Sequence, residues 1–109
     1  MDIDETLEQG NSVINQYLTF CLSDEQYALN VHNVQSVLEV TVCTKLPRTP
    51  EYMRGVINLR GSVIPVIDFR SKFELPVKEN SVNTRIIVME LNYEGSTVTV
   101  GAIADAVQE

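Results

Sequence analysis

Two short runs of β-branched and aliphatic residues, separated by a glycine-containing turn, dominate the middle of the sequence. They lie within residues 55–69 and flank a turn at residues 58–62, with Gly61 at its strained position. β-Branched side chains favour strands, and glycine tolerates the positive φ angles that a tight hairpin turn requires. Pro65 lacks an amide donor, which places its strand at a sheet edge or beside a bulge. The segment therefore predicts a β-hairpin.

The same kind of pattern recurs on both sides of this hairpin. Alternation of period two begins at Tyr17, and turn residues at 23–25 precede a second alternating run that reaches Val31. Apolar runs at residues 85–91 and 97–103, joined by a turn at residues 92–95, predict another pair of strands. About seven short strands, with turns roughly every ten residues, predict an all-β domain of the barrel type.

One stretch departs from the period of two. Val34, Val37 and Leu38 are spaced i, i+3 and i+4, and Asn30 or Asn33 precedes them as a candidate N-cap. This spacing predicts a short helix of about two turns.

The remaining segments are irregular. A stretch containing Val40, Val42 and Leu46 is predicted to be extended and to end at Pro47, because proline biases the preceding residue toward extended geometry. A helical turn is expected at residues 70–73, followed by a polar linker at residues 76–83.

This linker is the best candidate for a boundary between lobes. It divides the chain into a first lobe of residues 16–75 and a partial second lobe of residues 84–109. Residues 1–15 are polar and acidic and predict a flexible leader.

Charge and composition narrow the functional classes. The net charge is −7, yet residues 45–85 carry all eight basic residues against four acids. A nucleic-acid binder should be basic overall, so the negative net charge argues against that class. The basic middle is either a protein-docking surface or a set of ordinary solvated side chains. The apolar runs are too short to span a bilayer, and the acidic N-terminus does not resemble a secretory signal, so the cytoplasm is expected. Cys21 and Cys43 are predicted to be free thiols.

Catalytic groups are scarce. His32 has no cysteine or histidine at a metal-ligand spacing. His32 and Cys43 could be a general base and a nucleophile, but the sequence offers no evident oxyanion hole to go with them. No phosphate-binding glycine motif occurs, and acids such as Asp68 fall where strand ends and solvent faces are predicted. We therefore expect no catalytic residue, no cofactor and no metal. Binding through a groove is the remaining option, with Val34, Val37 and Leu38 either lining it or packing in the core.

Six motifs occur in a characteristic order. They are residues 16–20 (QYLTF), 25–29 (EQYAL), 31–39 (VHNVQSVLE), 46–50 (LPRTP), 53–61 (MRGVINLRG) and 63–69 (VIPVIDF). Together they resemble the CheW-like adaptor family of bacterial chemotaxis, and the resemblance spans residues 16–109.

The resemblance implies a fold and a set of partners. The fold would be two linked five-stranded SH3-like barrels, with the second incomplete here. The function would be a non-catalytic cytoplasmic adaptor, recruited to membrane-bound arrays, that couples the cytoplasmic tip of methyl-accepting chemoreceptors to the regulatory domain of the CheA histidine kinase. By position, the resemblance assigns receptor binding to Val34, Val37, Leu38, Gly55, Asn58, Arg60 and Gly61. It assigns kinase binding to Val40, Val42 and Leu46.

Two departures from the family accompany the resemblance. Ser36 stands where many members carry a glutamate that could pair with the central arginine, so Arg60 either pairs with another acid, such as Glu39, or stays solvated. The family also continues beyond the position of Glu109, so the chain is expected to be a fragment or a shorter form completed by another molecule. The alternative functions are a CheW-like module of a larger chain, or a small-ligand or nucleic-acid-binding barrel.

Overall fold

The computed structural model describes residues 16–108, and eight β-strands account for most of this range. The strands are β1 (Tyr17–Leu22), β2 (Glu25–Asn30), β3 (Val34–Glu39), β4 (Met53–Leu59), β5 (Ser62–Ile67), β6 (Arg85–Tyr93), β7 (Ser96–Ala104) and β8 (Ala106–Gln108). A 3₁₀ turn (Val31–Asn33) precedes β3, and one short helix, α1 (Phe69–Lys72), follows β5. The leader predicted at residues 1–15 lies outside the described residues.

The strands form two sheets. One has three strands in the order β2-β1-β8, and the other has five in the order β3-β6-β7-β5-β4. Neighbouring strands are antiparallel except β5 and β7, which pair in parallel through two residue pairs. The sheets curl into barrel-like shapes, which confirms the all-β fold class predicted from the sequence.

Strand β6 lies between two hydrophobic cores. Side chains of a strand alternate between faces, and both faces of β6 are buried over most of its length. Its Ile87, Met89 and Leu91 pack in the first core with residues of the three-stranded sheet such as Phe20. Ile86 and Val88 pack in the second core against β4 and β5. A strand buried on both faces is typical of two layers that share one sheet.

The helix predicted from Val34, Val37 and Leu38 is wrong, since these residues belong to strand β3. Strand β3 pairs with β6, with Leu38 opposite Ile86, and a register shift lies near its start. Because of this shift Val34 lies opposite Met89 and Leu38 opposite Ile86, so the two side chains lie on opposite faces of the sheet. Asn30, one of the two predicted N-caps, caps the 3₁₀ turn instead of a longer helix. Its Oδ1 accepts a hydrogen bond of 2.9 Å from the His32 amide.

The central hairpin is confirmed. Strands β4 and β5 are joined by Arg60 and Gly61, whose φ angles are +53° and +83°. Two positive φ angles match the right-handed twist of the flanking strands. The Asn58 side-chain oxygen accepts a hydrogen bond of 3.1 Å from the Gly61 amide and closes the turn.

The two alternatives for Pro65 have different outcomes. Strand β5 lies between β4 and β7, so the prediction of an edge strand is wrong. The β5–β7 ladder begins only at Val66, so no residue of β7 pairs with Pro65. A register shift between Met53 and Gly55 lies close to Pro65 in the β4–β5 ladder, which agrees with the predicted bulge. The missing amide donor of proline therefore costs no hydrogen bond with β7.

Helix α1 confirms the helical turn predicted after β5, and no strand lies in the predicted linker at residues 76–83. Strands β6 and β7, which follow the linker, share their sheet with β3, β4 and β5, which precede it. The five-stranded sheet thus draws strands from both sides of the linker, and the division into lobes at this point stays a prediction.

Candidate functional site

A cleft of about 480 Å³ lies beside the turn that joins β4 and β5. Strand β3 forms one wall, the hairpin forms another, and β7 contributes one residue. The lining residues are Gln35, Ser36, Leu59, Arg60, Ser62, Val63, Ile64 and Thr99. The cleft is of a size that holds one or two side chains of a partner.

Arg60 is the charged residue of this lining. The turn fixes its backbone, yet its side chain is exposed and makes no hydrogen bond or ion pair with residues 16–108. The predicted contact with Glu39 is absent from the same range, so Arg60 is solvated. Ser36 lies in the same cleft as Arg60, as expected if residue 36 of the family faces the central arginine.

The residues of β3 predicted to bind the receptor divide between the two faces of the strand. Val34 and Leu38 are half-buried and pack against the first and second core, respectively. Val37 pairs with Ile87, on the face of β3 opposite to Leu38, and is 42% exposed. For Val34 and Leu38, the geometry therefore supports core packing as the main role, and Val37 is the residue of the three that offers surface to a partner.

The predicted residues of the hairpin divide in a similar way. Asn58, Arg60 and Gly61 are exposed at the turn, next to the cleft. Gly55 is buried in β4 with a φ angle of +136°. A Cβ atom at this position would lie 2.4 Å from the carbonyl oxygen of Thr44, so Gly55 permits the backbone of residues 43–44 to approach β4.

The residues predicted to bind the kinase lie in this neighbouring segment. Val40, Val42 and Leu46 are all exposed, and Val42 is 91% exposed. The segment contains no strand of its own. Thr44 connects it to Val56 of β4 by two backbone hydrogen bonds of 2.9 Å. This bridge holds the segment against the edge of the five-stranded sheet, within the same structural unit as the cleft.

A buried network of charges was missed by the sequence interpretation. Asp68, expected at a strand end or a solvent face, is fully buried, and Arg70 is 2% exposed. Both oxygens of Asp68 accept hydrogen bonds from the guanidinium of Arg70, at 2.9 Å from Nε and 3.0 Å from Nη2. The Arg54 guanidinium donates to the same carboxylate at 2.8 Å. Arg70 Nη1 also donates to Asp105 at 2.6 Å.

This network connects distant parts of the fold. The second oxygen of Asp105 accepts a hydrogen bond of 2.6 Å from the Ser23 amide in the β1–β2 turn, and Arg70 also donates to the Lys78 carbonyl in the linker. Burial alone would raise the pKa of the Asp68 carboxyl. Hydrogen bonds and charges of Arg70 and Arg54 outweigh burial and hold that pKa below its ordinary value. The charged Asp68 carboxylate therefore holds together, directly and through Arg70, the parts of the fold that these hydrogen bonds join.

Other candidate groups stand apart from one another. Cys21 and Cys43 are free thiols, as predicted. Burial raises the pKa of the Cys43 thiol, with the nearby charge of Arg54 acting in the opposite direction. Within residues 16–108, no three histidine, cysteine or acidic side chains come together in a way that could hold a metal ion. No helix in that range has the length and apolar character needed to cross a membrane.

Comparisons with known proteins place this geometry in a family. The sequence model described as "CheW-like domain" matches residues 16–109. A chemotaxis protein CheW from Helicobacter pylori is 31% identical over 101 residues, which cover 93% of this chain and 61% of that protein. A CheW from Bacillus subtilis is 40% identical over 72 residues, covering 66% of this chain and 46% of that protein.

A solved structure agrees with these matches. The crystal structure of the scaffolding protein TtCheW from Thermoanaerobacter tengcongensis superimposes with a TM-score of 0.78 and 38% sequence identity. The superposition covers 89% of this chain and 64% of that chain. The chain thus spans about three-fifths of the length of these longer relatives. On the evidence of sequence and fold together, it belongs to the CheW-like domain family.

Proposed function

We propose that this chain acts as a chemotaxis adaptor that couples chemoreceptors to the CheA histidine kinase by protein–protein binding, without catalysis. The chain would act in the cytoplasm, at membrane-bound receptor arrays. The observation that carries the proposal is the match of residues 16–109 to the CheW-like domain. The names of the relatives, which include chemotaxis proteins and a scaffolding protein, support the same function for this chain.

Two exposed surfaces support binding to two partners. The first, which we call the hairpin surface, comprises Asn58, Arg60 and Gly61 at the turn beside the cleft, together with Val37, which is exposed on β3 but does not line the cleft. We assign it to the receptor tip. The second, which we call the loop surface, comprises Val40, Val42 and Leu46, and we assign it to the regulatory domain of the kinase. Exposed aliphatic side chains next to a positive charge are suited to the apolar face of a partner helix.

Binding of the receptor tip should depend on the hairpin surface. Val37→Asp and Arg60→Asp are each expected to weaken the affinity for a receptor-tip fragment about tenfold, because an acid replaces an apolar or cationic contact. Val37 is a better site for this test than Val34, where a charge would enter the core. Isothermal titration calorimetry against the fragment measures the loss.

The control is Val77→Asp in the linker, because Val77 is exposed to a similar extent as Val37, 49% against 42%. This variant should bind the receptor tip as the unmodified protein does. Equal affinities for all of these proteins would refute the assignment of the hairpin surface. A circular-dichroism melt of each variant establishes that it is folded.

Binding of the kinase should depend on the loop surface. Val42→Asp is expected to weaken the affinity for the regulatory domain about tenfold or more, and to leave receptor binding unchanged. Val42 is 91% exposed, so the substitution removes no packing within the chain. The matched control is Val82→Asp in the linker, at 87% exposure. If Val42→Asp and Val82→Asp bind the kinase domain equally well, the kinase contact lies elsewhere.

A further inference from the structure

The cleft beside the central hairpin carries a charge that the described chain does not neutralise. Arg60 has five N–H donors, and none of them donates to an acceptor within residues 16–108. By contrast, Arg54 and Arg70 are paired with Asp68. Among the described residues Arg60 has no acidic partner, and of the arginines it is the one that lines the cleft.

The other polar groups of the cleft are neutral. Ser36, Ser62 and Thr99 contribute hydroxyl groups, which can donate a hydrogen bond to an anion. Gln35 donates a hydrogen bond of 3.0 Å to Glu90 Oε2, so the carboxylate of Glu90 is held outside the lining. The cleft therefore has one positive charge, several hydroxyl donors and no carboxylate of its own. This set of groups is complementary to a carboxylate.

The remaining walls of the cleft are aliphatic. Leu59, Val63 and Ile64 line it, and Val63 is 66% exposed. A volume of about 480 Å³ is sufficient for side chains of a partner helix. An acidic residue and an aliphatic residue three or four positions apart on one helix would present a carboxylate and an apolar group to the cleft together.

We propose that the cleft binds a glutamate or aspartate side chain of the receptor helix, with Arg60 as its charge partner and an aliphatic residue of the same helix packed against Val63. The inference rests on the proposed function, because it takes the helix from the receptor tip. Ser36 is central to it. Residue 36 lines the cleft with Arg60, and a carboxylate at this position would compete with the partner for the arginine.

The test measures the affinity of the chain for a receptor-tip fragment at low and at high salt. Arg60→Gln should weaken binding about tenfold at low salt and reduce the dependence of the affinity on salt, because a charge pair is lost. Ser36→Glu should weaken binding to a similar extent, and clearly more than Ser36→Gln, which adds the same bulk without the charge. Arg48→Gln is the matched control, since Arg48 is another exposed arginine with a positive φ angle and lies outside the cleft.

The acid on the receptor is found by neutralising each acidic residue of the fragment in turn. One of these changes should cost about tenfold against the unmodified chain and nothing further against Arg60→Gln. If the unmodified chain binds the fragment but Arg60→Gln and Ser36→Glu bind it equally well, the carboxylate inference is overturned and the proposed function stands. The inference is also overturned if no receptor acid is coupled to Arg60. If the unmodified chain does not bind the fragment, the proposed function fails, and the inference fails with it.

Discussion

Replacing Asp68 by alanine is expected to lower the free energy of unfolding by about 3–5 kcal/mol, the range found when one member of a buried ion pair is removed. Asp68 is fully buried, and its loss leaves the guanidinium of Arg70, at 2% exposure, with Asp105 as its remaining acidic partner. The backbone amide of Arg70 also loses its capping acceptor at 3.0 Å. Urea denaturation followed by circular dichroism measures the change.

Two further variants locate the source of this effect. Asp68→Asn retains an oxygen acceptor but not the negative charge, so its cost should be smaller than that of alanine yet clearly measurable. Glu79→Gln neutralises an exposed acid of the linker and should leave the urea midpoint unchanged. An Asp68→Ala protein as stable as Glu79→Gln would show that the network contributes nothing to folding.

The same carboxylate gives the expected pH dependence. The pKa of Asp68 is lower in the folded chain than in the unfolded chain, where it is roughly 3.9. Its contribution to stability is therefore fully present above the unfolded value and disappears as the pH falls through the folded value. The difference in stability between the unmodified chain and Asp68→Asn should accordingly narrow as the pH falls below about 4.

The strands could be predicted because their signals are local. Alternation of apolar residues and the chemistry of the turns at Ser23 and Gly61 correctly predicted the hairpins. The helix predicted over Val34 and Leu38 failed because a bulge near the start of β3 disturbs the alternation of period two, and pairing with β6 determines the strand. Tertiary pairing of this kind is not visible in a short window of sequence.

The charge network could not be predicted for a related reason. Asp68 contacts Arg54, 14 residues before it, and Arg70 contacts Asp105, 35 residues after it. Ion pairs across such separations leave no periodic pattern. A local signal was nevertheless present, because an aspartate directly before a short helical segment is typical of an N-cap, and Asp68 accepts from the Arg70 amide. The proximity of residue 36 to Arg60 in the cleft was predicted from the family resemblance. The amino-acid composition alone would not have predicted it.

Replacing Gly55 by alanine should be the second change with a large effect, at about 4 kcal/mol of lost stability. The φ angle of +136° is one that L side chains rarely adopt, and the new Cβ would lie 2.4 Å from the Thr44 carbonyl oxygen and 2.8 Å from its carbon. Both atoms belong to the backbone, so neither can rotate away. Either β4 is distorted or the bridge between Thr44 and Val56 opens.

Gly95→Ala is the matched control that separates backbone strain from steric overlap. Gly95 has a φ angle of +81°, but a Cβ there would meet no atom within 4 Å. Its substitution should therefore cost only the strain of a left-handed residue, about 1 kcal/mol. A cost for Gly55→Ala no greater than that for Gly95→Ala would contradict the close approach of residues 43–44 to β4. If the loop surface binds the kinase as proposed, Gly55→Ala should also weaken that binding in the folded fraction of the protein, because the loop surface loses its attachment to the sheet.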